Sequence, residues 1–328
     1  MNPSKKCINN PVTFRNILYS LLGKHQLKKD MKSLKKLFVV SILLLGTAIF
    51  AQETANRFFY ELSFKPKKDS AKIDKVMTTL DIVKDKSIYQ DFTIIAQDSI
   101  IKLGVEEMQK NKVWKDLSKS IRMPKFSFKI YKLYPDMKEQ YVDRIGRNLF
   151  AYEETLKFDW KILPDKEKIG TYNTQKATTE FGGRKWIAWF SADIPLQDGP
   201  YKFYGLPGLI VKIEDEGKNY SWLLSGNKTV KDWKEISYVE EIQAQSGMGS
   251  NEKKVIAKEK FDKAYAAFKA DPLAEARPYM TPEIMNRKMP GSETTFGEFL
   301  KNQEKIAKDF FNANDNPIEL PTATEKKK

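Results

Sequence analysis

Histidine and cysteine are almost absent. Each occurs once in 328 residues, as His25 and Cys7, and both precede the first long apolar run. The rest of the chain therefore cannot build a Ser-His-Asp triad, a cysteine nucleophile, or a zinc, copper or haem site on His or Cys ligands. It cannot form a disulfide, so stability has to come from a buried core, for which residues 52–328 are long enough. No Gly-rich phosphate loop joins a strand to a helix, and no EF-hand spacing occurs. No metal and no cofactor are expected. No segment after residue 51 approaches the roughly 18 apolar residues of a membrane span.

What is present starts with an address. Residues 31–51 read MKSLKKLFVVSILLLGTAIFA: a basic start at Lys32, Lys35 and Lys36, an apolar run from Leu37 to Leu45 broken by Ser41, and Ala51 before polar Gln52-Glu53. That is the layout of a cleaved secretory signal peptide, and it is short for a span. An uncleaved N-terminal anchor is the alternative. No Cys follows the run, so a lipoprotein is excluded. Met31 opens a complete signal by itself, so residues 1–30 are expected to be an upstream extension of the reading frame, or else an unusually long n-region. The expected product is periplasmic or extracellular.

Removing 1–51 also changes the charge. The whole chain has 57 Lys+Arg against 43 Asp+Glu, but nine of those bases and one acid lie in 1–51, so the excess falls from +14 to +6. The nucleic-acid signature mostly goes with it, and no nucleic-acid partner is expected.

Along 52–328 the pattern is strands first, helices later. Arg57–Phe64 and 77–83 read as strands around a turn at 66–70, and 93–112 as a helix. From Phe126 to Val230 short strand signals near 126–130, 139–145, 148–162, 174–181, 184–191, 209–215 and 220–230 alternate with Gly and Pro turns, the pattern of an antiparallel meander. After about 232, Ala, Lys and Glu rise. Helices are predicted over 253–270, briefly at 281–289, and over 294–312 with Ser292 as N-cap. The tail 313–328 is polar and expected to fray. The fold class is α+β and β-rich: one domain, sheet-rich over 56–231 and helical over 232–312, in which a curved antiparallel sheet, half-open and barrel-like, carries C-terminal helices.

The chemistry left open uses carboxylates, Lys, Ser or Tyr. Ser-x-x-Lys at 99–102, 225–228 and 250–253 is what chance gives in a Lys-rich chain. The doublets Glu153-Glu154 and Glu240-Glu241 point to opposite faces if they lie in strands. No catalytic residue is assigned.

The densest stretch is 182–215, GGRKWIAWFSADIPLQDGPYKFYGLPGLIVKIED. In a strand, Trp186, Ala188 and Phe190 face one way, Ile187 and Trp189 the other, so both faces are apolar and the strand is expected to be central or covered on both sides. Leu206-Pro207-Gly208-Leu209 predicts a type II turn with positive φ at Gly208. The bland reading of the motif is a buried turn. The functional one is a binding lip, with Arg184, Tyr201 and Tyr204 as its polar edge and one of Trp186 and Trp189 lining a groove.

Gly205-Leu206-Pro207-Gly208-Leu209-Ile210 resembles the motif that names the GLPGLI family of secreted Bacteroidota proteins. The resemblance extends to Lys168-Ile169, Gln175-Lys176-Ala177, Phe181-Gly-Gly-Arg184, Trp186, Ala188-Trp189-Phe190, Ile194-Pro195, Gly199-Pro200 and Asn316-Pro317-Ile318-Glu319-Leu320. Some members have a Cys where this chain has Asn173-Thr174. The resemblance implies an exported β-rich protein, and no biochemical activity is established for the family. Three functions are carried forward. The first is a non-enzymatic envelope protein that binds a protein partner or apolar ligand, in one form a carrier whose concave face is lidded by helices. The others are a carboxylate- or Lys-dependent hydrolase on the same scaffold and a structural component of surface assembly.

Overall fold

A computed structural model describes residues 53–321 apart from 114, 116, 118–121, 123 and 246–248. The signal segment 31–51, the extension 1–30 and the last residues of the tail lie outside the described residues.

Twelve strands form one sheet: β1 (Ala55–Phe64), β2 (Asp74–Ile82), β3 (Lys86–Asp91), β4 (Lys129–Leu133), β5 (Lys138–Ile145), β6 (Asn148–Glu154), β7 (Lys161–Ile169), β8 (Tyr172–Phe181), β9 (Arg184–Ser191), β10 (Leu209–Asp215), β11 (Tyr220–Val230) and β12 (Lys253–Val255). Their order is β12-β6-β5-β4-β3-β2-β1-β11-β10-β9-β8-β7, so two meanders meet where β11 returns beside β1. Every pairing is antiparallel except β12 with β6. The sheet does not close, and its outer edge β7 is blunted by Pro164 and a row of exposed charges.

Alternation sets the two faces. Phe58, Tyr60, Leu62 and Phe64 of β1 join Leu80, Tyr89, Ile130, Trp186, Phe190, Ile213 and Trp222 in the main core. That face is strongly curved. Residues 198–206, between β9 and β10, run inside it as a plug: Lys202 reaches Glu154 on β6, while Phe203 packs on Trp186 of β9 at 4.8 Å. β6 and β9 are far apart in the sheet order, so only a curled sheet lets consecutive plug residues touch both. The opposite, outer face of β1 to β6 carries a second cluster of Ala55, Ile88, Tyr131, Val142 and Ala151 under Trp233. There Asp81 accepts Arg57 Nε at 2.6 Å and Trp233 Nε1 at 2.7 Å, which satisfies a buried carboxylate.

The helices are α1 (Thr93–Ala96), α2 (Asp98–Asn111), α3 (Tyr238–Gln245), α4 (Lys258–Ala270), α5 (Pro282–Met285) and α6 (Phe296–Ala313). Phe261 of α4 packs edge-on against Tyr141 and Tyr152 of the inner face, at 5.5 and 5.1 Å. Phe311 of α6 packs on Phe268 of α4 at 5.9 Å. No helix among the described residues is long and apolar enough to cross a membrane.

Four details differ from the sequence reading. The segment 148–162 is not one strand: β6 ends at Glu154 and β7 begins at Lys161. Residues 253–270 divide into β12 and α4, because 253–255 pair with β6. The N-cap of α6 is Thr295, not Ser292, and it forms a capping box with Glu298. Finally, the tail is docked through Leu320, since Asn316 and Ile318 are buried.

Candidate functional site

The register places Glu154 of β6, Glu139 of β5, Lys132 of β4 and Ser87 of β3 in one cross-strand row on the inner face. Two acids directly opposite each other repel. The plug supplies the compensation. Lys202, wholly buried, pairs with Glu154 and, at 2.6 Å, with Glu319. Lys132, equally buried, pairs with Asp198 and donates to the Gly199 carbonyl at 2.7 Å. Burial opposes the Lys202 charge, but Glu319, Tyr152 and Glu154 outweigh it and hold the ammonium above its ordinary pKa. Both carboxyl oxygens of Glu139 lack a hydrogen-bond partner among the described residues. Burial pushes that carboxyl up to about 9, against the pull of Lys132 and Lys202, so it is protonated at neutral pH.

Glu319 arrives on the tail. Residues 315–320 lie as a strap across three hairpin ends. Asp315 and Asn316 donate from the backbone to the Pro66 carbonyl at 3.0 and 3.2 Å, and the Leu320 N–H donates to the Gly182 carbonyl at 2.8 Å. Arg184 is the clasp: Nε donates to the Ile318 carbonyl at 2.9 Å and Nη2 to the Pro317 carbonyl at 2.8 Å, while Nη1 pairs with Asp215 at 3.2 Å. A Cβ on Gly182 would lie 3.1 Å from Glu319 Cα, and its φ of +56° independently favours glycine.

Between the strap, the inner face and helices α4 and α6 is a cleft of about 280 Å³. Its walls are aromatic: Phe64, Phe128, Tyr141 and Tyr152 from the sheet side face Tyr265 and Phe311 from the helices. Lys258 sits 5.1 Å over the Tyr152 ring and Lys269 5.3 Å over Tyr265, so cations of the chain itself already cover part of the aromatic surface. Tyr201 and Glu319 line it, whereas Glu139 and Glu154 do not.

The five candidate residues do not converge. Arg184 holds the strap. Trp186 is wholly buried in the main core, its Nε1 donating to the Phe181 carbonyl at 3.0 Å. Trp189 points to the outer face, half-buried, with Lys176 5.8 Å over its ring. Tyr204 lines a different hollow of about 310 Å³ with Tyr134 and Asp198. Only Tyr201 reaches the aromatic cleft.

The motif Gly205-Leu206-Pro207-Gly208-Leu209-Ile210 ends the plug and begins β10, with Leu206, Leu209 and Ile210 buried. Gly208 takes the expected positive φ, +153°, but the turn is not type II. The Gly208 N–H bonds to the Leu206 carbonyl at 2.8 Å, an i to i+2 closure about Pro207, and the Leu209 N–H goes to Ile194 at 3.1 Å. Gly208 is needed for space: its Cβ would sit 2.1 Å from the Ser191 carbonyl oxygen. Gly205 is needed for its φ of +91°.

Residues 178–212 match the family model described as "Protein of unknown function (Porph_ging)". The matched stretch runs from β8 into β10 and contains the motif on which the GLPGLI resemblance rests. Two solved structures are similar, "Structure of PNGF-II in P21 space group" and "Structure of PNGF-II in C2 space group". They are 16% and 17% identical, cover 65% of this chain, and have TM-scores of 0.41 and 0.43. The matched region spans 33% and 32% of those chains. No curated protein matches.

Sequence reasoning met Glu154 only as half of an acidic doublet and Glu319 only within the family-like ending, and it did not single out Lys202 or the cleft rings of α4 and α6 as site residues. One signal was there. Lys202 stands among Tyr201, Phe203 and Tyr204, and a lysine set inside an aromatic run needs a buried counter-charge. Which acid supplies it depends on strand register and on the strap.

Proposed function

We propose that this chain is an exported, GLPGLI-type binding protein of the cell envelope, without enzymatic activity, and that its ligand site is the aromatic cleft. The observation that carries the reading is the cleft itself: about 280 Å³ of space between the inner face, the strap and α4–α6, walled by rings. Concave apolar sites with a few placed polar groups are the usual form of small-molecule sites. The carrier form is narrowed, because the plug residues Tyr201, Phe203 and Leu206 fill much of the inner face that a wide apolar cavity would need.

A hydrolase is the second reading, favoured by the converging acids Glu139, Glu154 and Glu319. Against it, Glu154 and Glu319 are both committed to Lys202, and the cleft reaches only Glu319.

The test uses the neutral apolar dye N-phenylnaphthylamine. Saturable fluorescence enhancement is expected with the wild-type protein, and Phe311→Ala, which removes one of the rings that wall the cleft, should weaken it. A wild-type protein that gives no saturable enhancement overturns the reading. Export is tested separately: a fusion starting at Met31 should be shortened to begin near Gln52, and a product retaining Met31 would refute it.

A further inference from the structure

One end of the cleft is chemically specific: Tyr152, Tyr201 and Glu319 line it, and Lys202 is buried directly behind them. The Lys202 ammonium and the Tyr201 hydroxyl converge on one oxygen, Glu319 Oε1, at 2.6 and 2.5 Å. The Tyr152 hydroxyl accepts from Lys202 at 3.2 Å and keeps its own proton to donate. Two donors on one carboxylate oxygen, with a third beside them, form a carboxylate receptor. The carboxylate now in it belongs neither to the sheet nor to the plug. It comes from the strap, and its side chain is 25% exposed, whereas Lys202 is 0% exposed.

Lys202 does not depend on Glu319 alone. Glu154 contacts the same ammonium from the other side, so a cation remains when Glu319 leaves. The nearby lysines add the same sign of field. Lys258 and Lys269 lie over cleft rings; Lys258 also pairs with Asp262 of its own helix at 3.5 Å, so the cleft lining there holds two lysines and one aspartate. An amine entering here would meet an ammonium, while an anion would meet its complement.

We infer that Lys202 and Tyr201 form a carboxylate-binding subsite that Glu319 fills in cis, and that the ligand of the cleft is a monocarboxylate with an apolar body. The ligand carboxylate replaces that of Glu319, and its body lies against Phe128, Tyr141 and Phe261. The inference rests on the cleft being the ligand site. It implies self-competition: a tethered carboxylate has an effective concentration near the millimolar range, so free carboxylates bind the intact protein weakly.

The experiment titrates octanoate and octylamine into the full exported chain and into Glu319→Ala by calorimetry, with N-phenylnaphthylamine as the neutral reference. Octanoate should bind Glu319→Ala about tenfold more tightly than wild type, the scale of one charge-assisted hydrogen bond. Adding Tyr201→Phe should take back most of that gain, and octylamine should show none. Glu319→Gln, which keeps the volume of the strap residue, is run alongside in case the alanine variant does not fold, and the same gain is expected. Octanoate affinity unchanged by either substitution, with the neutral dye still bound, overturns the carboxylate subsite and leaves the cleft standing. Absence of binding by dye and octanoate alike overturns both.

Discussion

Glu139→Gln should change how stability depends on pH, and in one direction only. Glu139 lies directly opposite Glu154 across β5 and β6, is fully buried, and has no hydrogen-bond partner on either oxygen among the described residues. Burial raises its pKa to about 9, although Lys132 and Lys202 pull the other way. In the unfolded chain a glutamate titrates at about 4.3. Between those two values the native state holds a proton that the unfolded state has released. A raised native pKa contributes stability that is complete below the unfolded value and is lost as pH climbs toward the native one. The slope for one such group is about 1.4 kcal/mol per pH unit. Glutamine mimics the protonated acid in shape and does not titrate. Between pH 5 and 8 the wild type should therefore lose on the order of 2–4 kcal/mol relative to Glu139→Gln. Urea unfolding of both proteins at pH 5, 6, 7 and 8 measures this, because titrations common to both cancel in the difference. A difference that stays flat across the series refutes the argument.

Three further outcomes follow from contacts already described. Gly208→Ala should cost about 3 kcal/mol or more, since the new Cβ meets the backbone of Ser191, which cannot yield as a side chain can; unchanged melting would refute the packing argument. Trp186→Ala should cost about 3–5 kcal/mol and Trp189→Ala clearly less, because only the first is buried in the main core; equal losses in urea unfolding would contradict that assignment. Arg184→Lys keeps the charge but loses the fork that holds Ile318, Pro317 and Asp215. Hydrogen exchange at the Leu320 amide should then accelerate, and unchanged protection would mean that the strap is held by something else.

How far the fold is legible in the sequence depends on how each segment shows its burial. β1 and β9 read clearly, because Phe58-x-Tyr60-x-Leu62-x-Phe64 and Trp186-x-Ala188-x-Phe190 alternate. β3 carries no such mark: Ile88 and Tyr89 are adjacent and buried on opposite faces, so a central six-residue strand has no period to detect. The N-cap of α6 is written in Thr295-x-x-Glu298, one residue before the apolar stripe. The strap reads as a frayed tail because its anchors are mostly backbone carbonyls and one arginine far away in sequence. Even so, the two short segments 181–184 and 316–320, both part of the family resemblance, prove to dock on each other. The charged row is invisible in sequence, since Glu154, Glu139 and Lys132 become neighbours only through register.

The central claim is that the aromatic cleft is where a ligand sits. Nuclear Overhauser contacts between saturating N-phenylnaphthylamine and the aromatic protons of the protein test it most directly. Contacts to Phe128, Tyr265 and Phe311, with none to Trp189 on the outer face, are the predicted result. Contacts to Trp189 with none to the cleft rings, or no contacts at saturation, would contradict it.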